Sequence, residues 1–273
     1  MSEVIAIATQ KGGVGKTTTA INLGVALAGQ GRDVLLVDAD PQYDMTKGLG
    51  FIREKRPEVT IAQMMRKSLE GEPFRLGEGI VQNDEGVDLV PGSIDMAGID
   101  LSLTAVMSRE MMLKKYIDSQ KSAYDYVLID CPPALGMLTI NALVAADSVI
   151  IPVQSNYYAL EGMGQLLDSI RKVRANINPK LTIKGALVTL VDTRSRHPKE
   201  VMEALHANYG NHLHIFKEYI PIATRAAESS AQGLSIHAYD PKCTASEAYL
   251  KVSKEVDGFG EKTRDTVEQS RCR

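Results

Sequence analysis

Apolar and β-branched residues gather in short continuous runs along this chain rather than alternating with polar ones. Val4–Ala8, Val34–Val37, Val87–Val90, Tyr126–Ile129, Ser148–Val153 and Ile183–Leu190 predict six buried strands, and Phe216–Ile220 a weaker seventh. Continuous apolarity is what parallel strands covered on both faces require. Helical spacing fills the gaps. Thr17–Gly29 carries apolar or small residues at Ala20, Leu23, Gly24, Leu27 and Ala28, with Gly29 and Gly31 at its stop. Leu160–Val173, Lys199–Tyr209 and Ala245–Val256 follow the same rule, and Met107, Met111 and Met112 fall in a helical run expected to pack in the core. Strands and helices in alternation predict an α/β fold, a doubly wound, mostly parallel sheet with helices on both faces.

Two stretches depart from this rhythm. Residues 48–85 are more polar, broken by "REKRPE" and "LEGEP", and read as a surface excursion with one helix, Ile61–Leu69. Residues 258–273, "GFGEKTRDTVEQSRCR", are charged and poor in apolar side chains, so they are expected to form a flexible tail after a single domain over 1–257.

Composition narrows the classes. A chain of 273 residues can bury the core of one large α/β domain. Its formal net charge of -3 excludes a polyanion partner held by overall charge, so any nucleic-acid contact must be a local basic patch. Three scattered cysteines do not make a disulfide framework and fit a reducing cytoplasm. No apolar run reaches the ~18 residues of a membrane span. A cytoplasmic protein without a membrane partner is expected.

The chemistry begins where the first strand ends. "ATQKGGVGKTT" places Gly12, Gly13 and Gly15 between a strand and a helix, where main-chain N–H groups can turn inward and make an anion site. Lys16 can reach the β- and γ-phosphates of a nucleotide, Thr17 can offer its hydroxyl to Mg²⁺, and Val14 and Thr18 complete the loop. Gln10 replaces the first glycine of the usual G-x-x-x-x-G-K-[ST] pattern, at the loss of one permissive position. Two further strands end in acid: "VLLVDADPQ" with Asp38 and Asp40, and "YVLIDCPP" with Asp130, a Walker B pattern. Ligands of open α/β sheets bind outside the carboxyl ends of the strands, so the three carboxylates are expected to converge on the glycine loop. Asp130 would orient Mg²⁺ with Asp38 close to the same shell, and Asp40 would position the attacking water.

Together, "KGGVGKTTTAINL", "VLLVDADPQ", "YVLIDCPP", "PVQSNYYALEGMGQLL" and "YDPKCTASEAYLKVSKEV" resemble the ParA family of partition ATPases, P-loop NTPases of the deviant Walker A type. The resemblance runs over residues 3–257 and is to the short type, without a helix-turn-helix domain ahead of the loop. It implies Mg·ATP, an ATP-dependent homodimer that sandwiches the nucleotides, and Lys11 crossing to the partner's phosphates. A cation supplied in trans would act as an arginine finger does. It further implies close approach of two chains at Gly12, a switch region at Gln42, and adenine contacts at Thr189, Pro221 and Ile222. Non-specific double-stranded DNA is implied as a partner, with Arg225 at a position of DNA contact and Arg194 and Arg196 beside it; Lys242, Lys251 and Lys254 are weaker candidates. A ParB-type centromere-binding protein would stimulate hydrolysis, and the protein would associate with the nucleoid. The same ATPase could instead position a non-DNA protein cargo. His212 and His214 lack a nearby third ligand and are expected in a loop or edge strand, and Cys131 is expected to pack behind the Walker B strand.

Overall fold

The computed structural model describes residues 2–52, 57–104, 106–155, 159–194, 197–210 and 213–271, with backbone alone for 159–162, 197–199 and 260–271. Seven strands form one sheet: β1 (Glu3–Ile7), β2 (Val34–Asp38), β3 (Val81–Gln82), β4 (Asp88–Val90), β5 (Tyr126–Asp130), β6 (Ser148–Gln154) and β7 (Thr182–Thr189). Their order is β3-β4-β2-β5-β1-β6-β7, parallel throughout except where β3 runs antiparallel to β4. The expected α/β fold is therefore the observed one.

Period-two geometry divides each strand between two cores. Val4 and Ala6 of β1 and Ala8 just after it, with Leu35 and Val37 of β2, face one cluster; Ile5 and Ile7, with Val34 and Leu36, face the other. The first is closed by α3 (Ile61–Glu70), α4 (Met96–Leu103), α5 (Met112–Gln120), α6 (Met137–Ala145), α7 (Ala159–Asn176) and α8 (His197–Tyr209). The second is closed by α1 (Lys16–Ala28), α2 (Asp44–Gly48), α9 (Thr224–Gln232), α10 (Ile236–Tyr239) and α11 (Thr244–Arg271). With both faces covered, the strands have no polar side, and their continuous apolarity follows.

Three expectations need correction. Phe216–Ile220 is not a strand. Its N–H groups at Phe216 and Ile220 do reach β7, donating to Ala186 and Val188 carbonyls at 3.0 and 2.9 Å, but only isolated bridges form, at Ile215 and Pro221. The seventh strand is instead β3, whose two residues carry no legible pattern. The excursion over 48–85 is not all surface: α3 buries Ile61, Ala62, Met64 and Met65 in the first core. Met107 is 90% exposed, because it lies in a turn after α4, whereas Met112 is buried and Met111 half-buried. In the described residues, α11 itself carries on through Gly258 and Gly260 to Arg271. Its Glu, Lys, Arg and Gln residues are good helix formers, which outweigh two glycines.

Two links fasten α11 and α10 to α1, the helix behind the glycine loop. Tyr249 and Thr19 hydroxyls lie 3.2 Å apart in the core. Asn22 accepts from the Ile236 N–H at 2.7 Å and donates to the Thr18 carbonyl at 2.8 Å. The C-terminal helices thus hold α1 against the sheet.

Candidate functional site

The chain leaves β1 at the middle of the sheet and turns into α1 through residues 8–15. Gly13 (φ 70°) and Gly15 (φ 83°) adopt left-handed backbone that L side chains rarely take, and Gly15 caps α1. Gly12 and Gly13 are exposed, and a Cβ on Gly12 would meet only Pro133, at 3.9 Å. Among the described residues, nothing therefore demands a glycine at position 12. Lys16 opens α1, is buried, and its ammonium donates to the Lys11 carbonyl at 3.4 Å, inside the loop. The loop is pinned from below by the Thr189 hydroxyl, which donates to the Val14 carbonyl at 2.8 Å.

Parallel register brings the acids to this loop. Asp38 ends β2 and Asp130 ends β5, and the two are paired in register on neighbouring strands. Asp130 is likewise paired with Ile7, one residue before the turn begins. Both carboxylates are fully buried. Asp130 accepts from the Thr17 hydroxyl at 2.6 Å through Oδ2. Asp38 Oδ2 accepts from the Thr46 N–H at 2.8 Å and the Thr46 hydroxyl at 2.6 Å. Each acid then keeps one buried oxygen, Oδ1, without a hydrogen-bond donor. Asp40, also buried, accepts from the Gln42 N–H at 2.9 Å.

Burial without compensation moves the protons. Asp38 is pushed up to about 7, chiefly by burial and against the Thr46 hydrogen bonds. Asp130 is held well above the usual carboxylate range by burial and then by Asp38 beside it, with the Thr17 hydroxyl and Lys16 pulling the other way. Asp40 is raised by burial, against the Gln42 N–H and Lys16. Cys131, fully buried after Asp130, is raised by burial too and packs in the core, as expected.

The residues present fit a hard divalent cation held with a phosphate chain. Two adjacent carboxylates with an orphaned oxygen each, and a hydroxyl between them and the helix start, are the oxygen donors Mg²⁺ takes. The N-terminus of α1 and the loop N–H groups suit phosphate.

The other sequence candidates lie further out. Thr189 is buried beneath the loop, with its hydroxyl committed to Val14, so its contact with a base would be through its main chain. Pro221 is buried and forms the Val191–Pro221 bridge beyond the exit of β7; Ile222, next to it, is 57% exposed. Arg225 stands on the exposed face of α9 and is ion-paired with Glu228 at 2.8 Å and Asp240 at 3.4 Å. Arg194 is exposed and pairs with Asp192 at 3.1 Å. Arg196 and His212 lie outside the described residues, while His214 bonds Glu255 at 2.8 Å. Lys251 pairs with Glu218 at 3.2 Å, and Lys242 and Lys254 are exposed. Among the described residues, no helix is long and apolar enough to cross a membrane, and no group of three or more His, Cys, Asp and Glu side chains stands together as a metal centre.

Sequence reasoning missed three residues here. Thr46 and Gly92 close around Asp38, and Asn22 braces α1. Thr46 and Gly92 stand in no quoted motif; Asn22 lies inside "KGGVGKTTTAINL", where a polar residue at a buried helix position is its only trace.

Comparison with known proteins settles the lineage. The AAA domain family profile matches residues 2–183. The sporulation initiation inhibitor protein Soj of Bacillus subtilis is 43% identical over 260 residues, covering 95% of this chain and 100% of its own. The chain belongs to the ParA/Soj family of partition ATPases. Chromosome partitioning protein ParA of Caulobacter vibrioides is 40% identical, over 93% of both chains. Among solved structures, cobyrinic acid a,c-diamide synthase from Mycobacterium smegmatis with bound ATP analog and magnesium superposes with a TM-score of 0.78, at 36% identity over 93% of both chains. The septum site-determining protein MinD of Pyrococcus horikoshii, complexed with Mg-ADP, superposes with a TM-score of 0.73 at 26% identity, over 95% of this ParA/Soj family chain and 98% of its own.

Proposed function

We propose that this chain is a partition ATPase in the mechanistic sense: it binds Mg·ATP, pairs with a second copy across the nucleotides, binds double-stranded DNA without sequence preference, and hydrolyses ATP slowly until a ParB-type partner accelerates it. The observation that carries the reading is the pair of adjacent, buried carboxylates with orphaned oxygens at the foot of a glycine loop. Membership of the family, and relatives solved with magnesium and ATP analog or ADP, support it.

Each residue has a task that follows from its place. The Gly12–Thr18 main chain and Lys16 hold the phosphates. Thr17 and Asp130, with Asp38 beside them, hold Mg²⁺, which neutralises charge on the β- and γ-phosphates when bound. Asp40, on the loop after β2, takes the role of orienting water for attack on the γ-phosphate. Burial keeps Asp40 more basic than an ordinary carboxylate, which suits a proton acceptor.

Lys11 is half-buried beside the exposed Gly12 and Gly13, at the edge of the loop that a neighbouring chain would meet. An intra-chain explanation of Gly12 is lacking, and a close approach of two chains supplies one. DNA binding rests on Arg225 and Arg194, doubled by pairing; a few phosphate contacts per subunit give weak, salt-sensitive association.

The test is DNA retention with ADP, ATP and a non-hydrolysable ATP analogue across a salt series. Retention only with ATP and the analogue, falling steeply with salt, is expected. Retention independent of nucleotide would sink the switch.

A further inference from the structure

Asp38 is not held by its own strand. The oxygen atoms of this fully buried carboxylate reach past β2 to α2, where Thr46 grips Oδ2 with both its hydroxyl (2.6 Å) and its N–H (2.8 Å). Thr46 is the third residue of α2, so its N–H has no acceptor inside that helix. The hydroxyl that donates to Asp38 also accepts from the Gly92 N–H at 2.8 Å, which fixes the direction in which it donates. Gly92 closes the other side. A Cβ there would stand 2.7 Å from Asp38 Cγ and 2.9 Å from Tyr43 Cβ, so only glycine leaves the carboxylate where it is. Two chain segments, α2 and the turn at Gly92, thus close around Oδ2 of Asp38 and leave its partner oxygen, Oδ1, without a donor, next in register to Asp130.

We infer that Thr46 is a positioning residue for the cation site: by holding Asp38 Oδ2 from α2, it presents Oδ1 beside Asp130 and Thr17, and Gly92 supplies the space. The inference rests on the Mg·ATP reading of the site. Thr46 itself touches neither cation nor nucleotide. It acts on how tightly the carboxylate cage holds the cation, as outer hydrogen-bond partners of metal ligands do. It also makes α2, directly after Gln42, part of that cage.

Binding of a fluorescent ATP analogue, titrated with Mg²⁺ and repeated in EDTA, tests this on the full chain. Thr46→Val is expected to raise the Mg²⁺ concentration for half-maximal binding about tenfold. It should leave affinity in EDTA unchanged. Thr46→Ser, which keeps the hydroxyl, should restore the wild-type requirement to within about twofold. Gly92→Ala, with Thr46 intact, should raise the requirement as Thr46→Val does; it carries the test should Thr46→Val fail to fold, as judged by thermal unfolding without nucleotide. An unmoved Mg²⁺ requirement in a folded Thr46→Val protein, an equal loss of affinity in EDTA, or no rescue by serine would each overturn the role of Thr46 alone. A wild-type protein whose nucleotide binding ignores Mg²⁺ would overturn the Mg·ATP reading, and this inference with it.

Discussion

The two ends of the nucleotide path are built on opposite principles. At the foot of the glycine loop, Asp38 and Asp130 are fully buried, lie side by side in the sheet, and each keep an oxygen without a donor. At the outer surface, Arg225 is half exposed and already paired with Glu228 and Asp240. The first arrangement is costly on its own, because uncompensated charge is expensive in the interior. The second costs little, because exposed ion pairs are screened by water and salt and contribute little. A site that pays in stability demands its ligand, whereas a surface that is already neutralised engages only weakly and gives way to salt. On the proposed function, tight nucleotide binding and loose DNA binding are the expected consequence.

The comparison can be broken at its strong end first. Replacing Lys16 by alanine removes the buried ammonium from the loop and should weaken ATP binding by roughly 3 kcal/mol, on the order of 100-fold. Calorimetric titration reads this directly, and unchanged affinity would remove the phosphate site.

A smaller effect tests the strain itself. The Asp38 carboxyl titrates near 7 in the folded chain and near 3.8 when unfolded. Between those values the folded state holds a proton that the unfolded state has lost, so stability falls as pH rises through the window and levels off above it. Asp38→Asn removes one of two adjacent buried charges. Without nucleotide or Mg²⁺, it should raise the unfolding temperature by several degrees at pH 8 and by less than half as much at pH 5. An equal shift at both pH values would show that charge is not the cause.

The weak end gives the smallest change. Arg225→Ala should lower DNA affinity only severalfold, since the guanidinium must first leave Glu228 and Asp240. It should also flatten the salt dependence by about two counterions per dimer. Undiminished affinity at matched salt would move DNA binding elsewhere.

These two ends also differ in how far the sequence discloses them. The loop and the acids were legible because each is tied to the exit of a strand, and six strands are written as apolar runs. The convergence of Asp38 and Asp130 needed only the rule that ligands bind at the carboxyl edge of a parallel sheet. Thr46 and Gly92 were not legible, because they reach Asp38 through a helix and a β4 exit whose approach is set by tertiary packing. Thr189 shows a subtler limit. It was expected as an adenine contact, but its hydroxyl props the Val14 carbonyl from beneath, and only the packing reveals that. Phe216–Ile220 reads as a strand because it is apolar and does lie along β7; the ladder fails because its pairing is confined to isolated bridges. The acids around Arg225 come from Glu228, one turn away on α9, and Asp240, on a different segment, and only the first is a sequence neighbour.

The central claim is that filling this strained cage brings two chains together, with Lys11 as the reason for the second lysine in the loop. Sedimentation velocity of the chain with Mg·ATP, with ATP in EDTA and with Mg·ADP tests it most directly, alongside Lys11→Ala. A dimer with Mg·ATP alone, lost in Lys11→Ala while ATP still binds, is the predicted result. The same mass in all three conditions, or a Lys11→Ala protein that dimerises and hydrolyses ATP as wild type does, would contradict it.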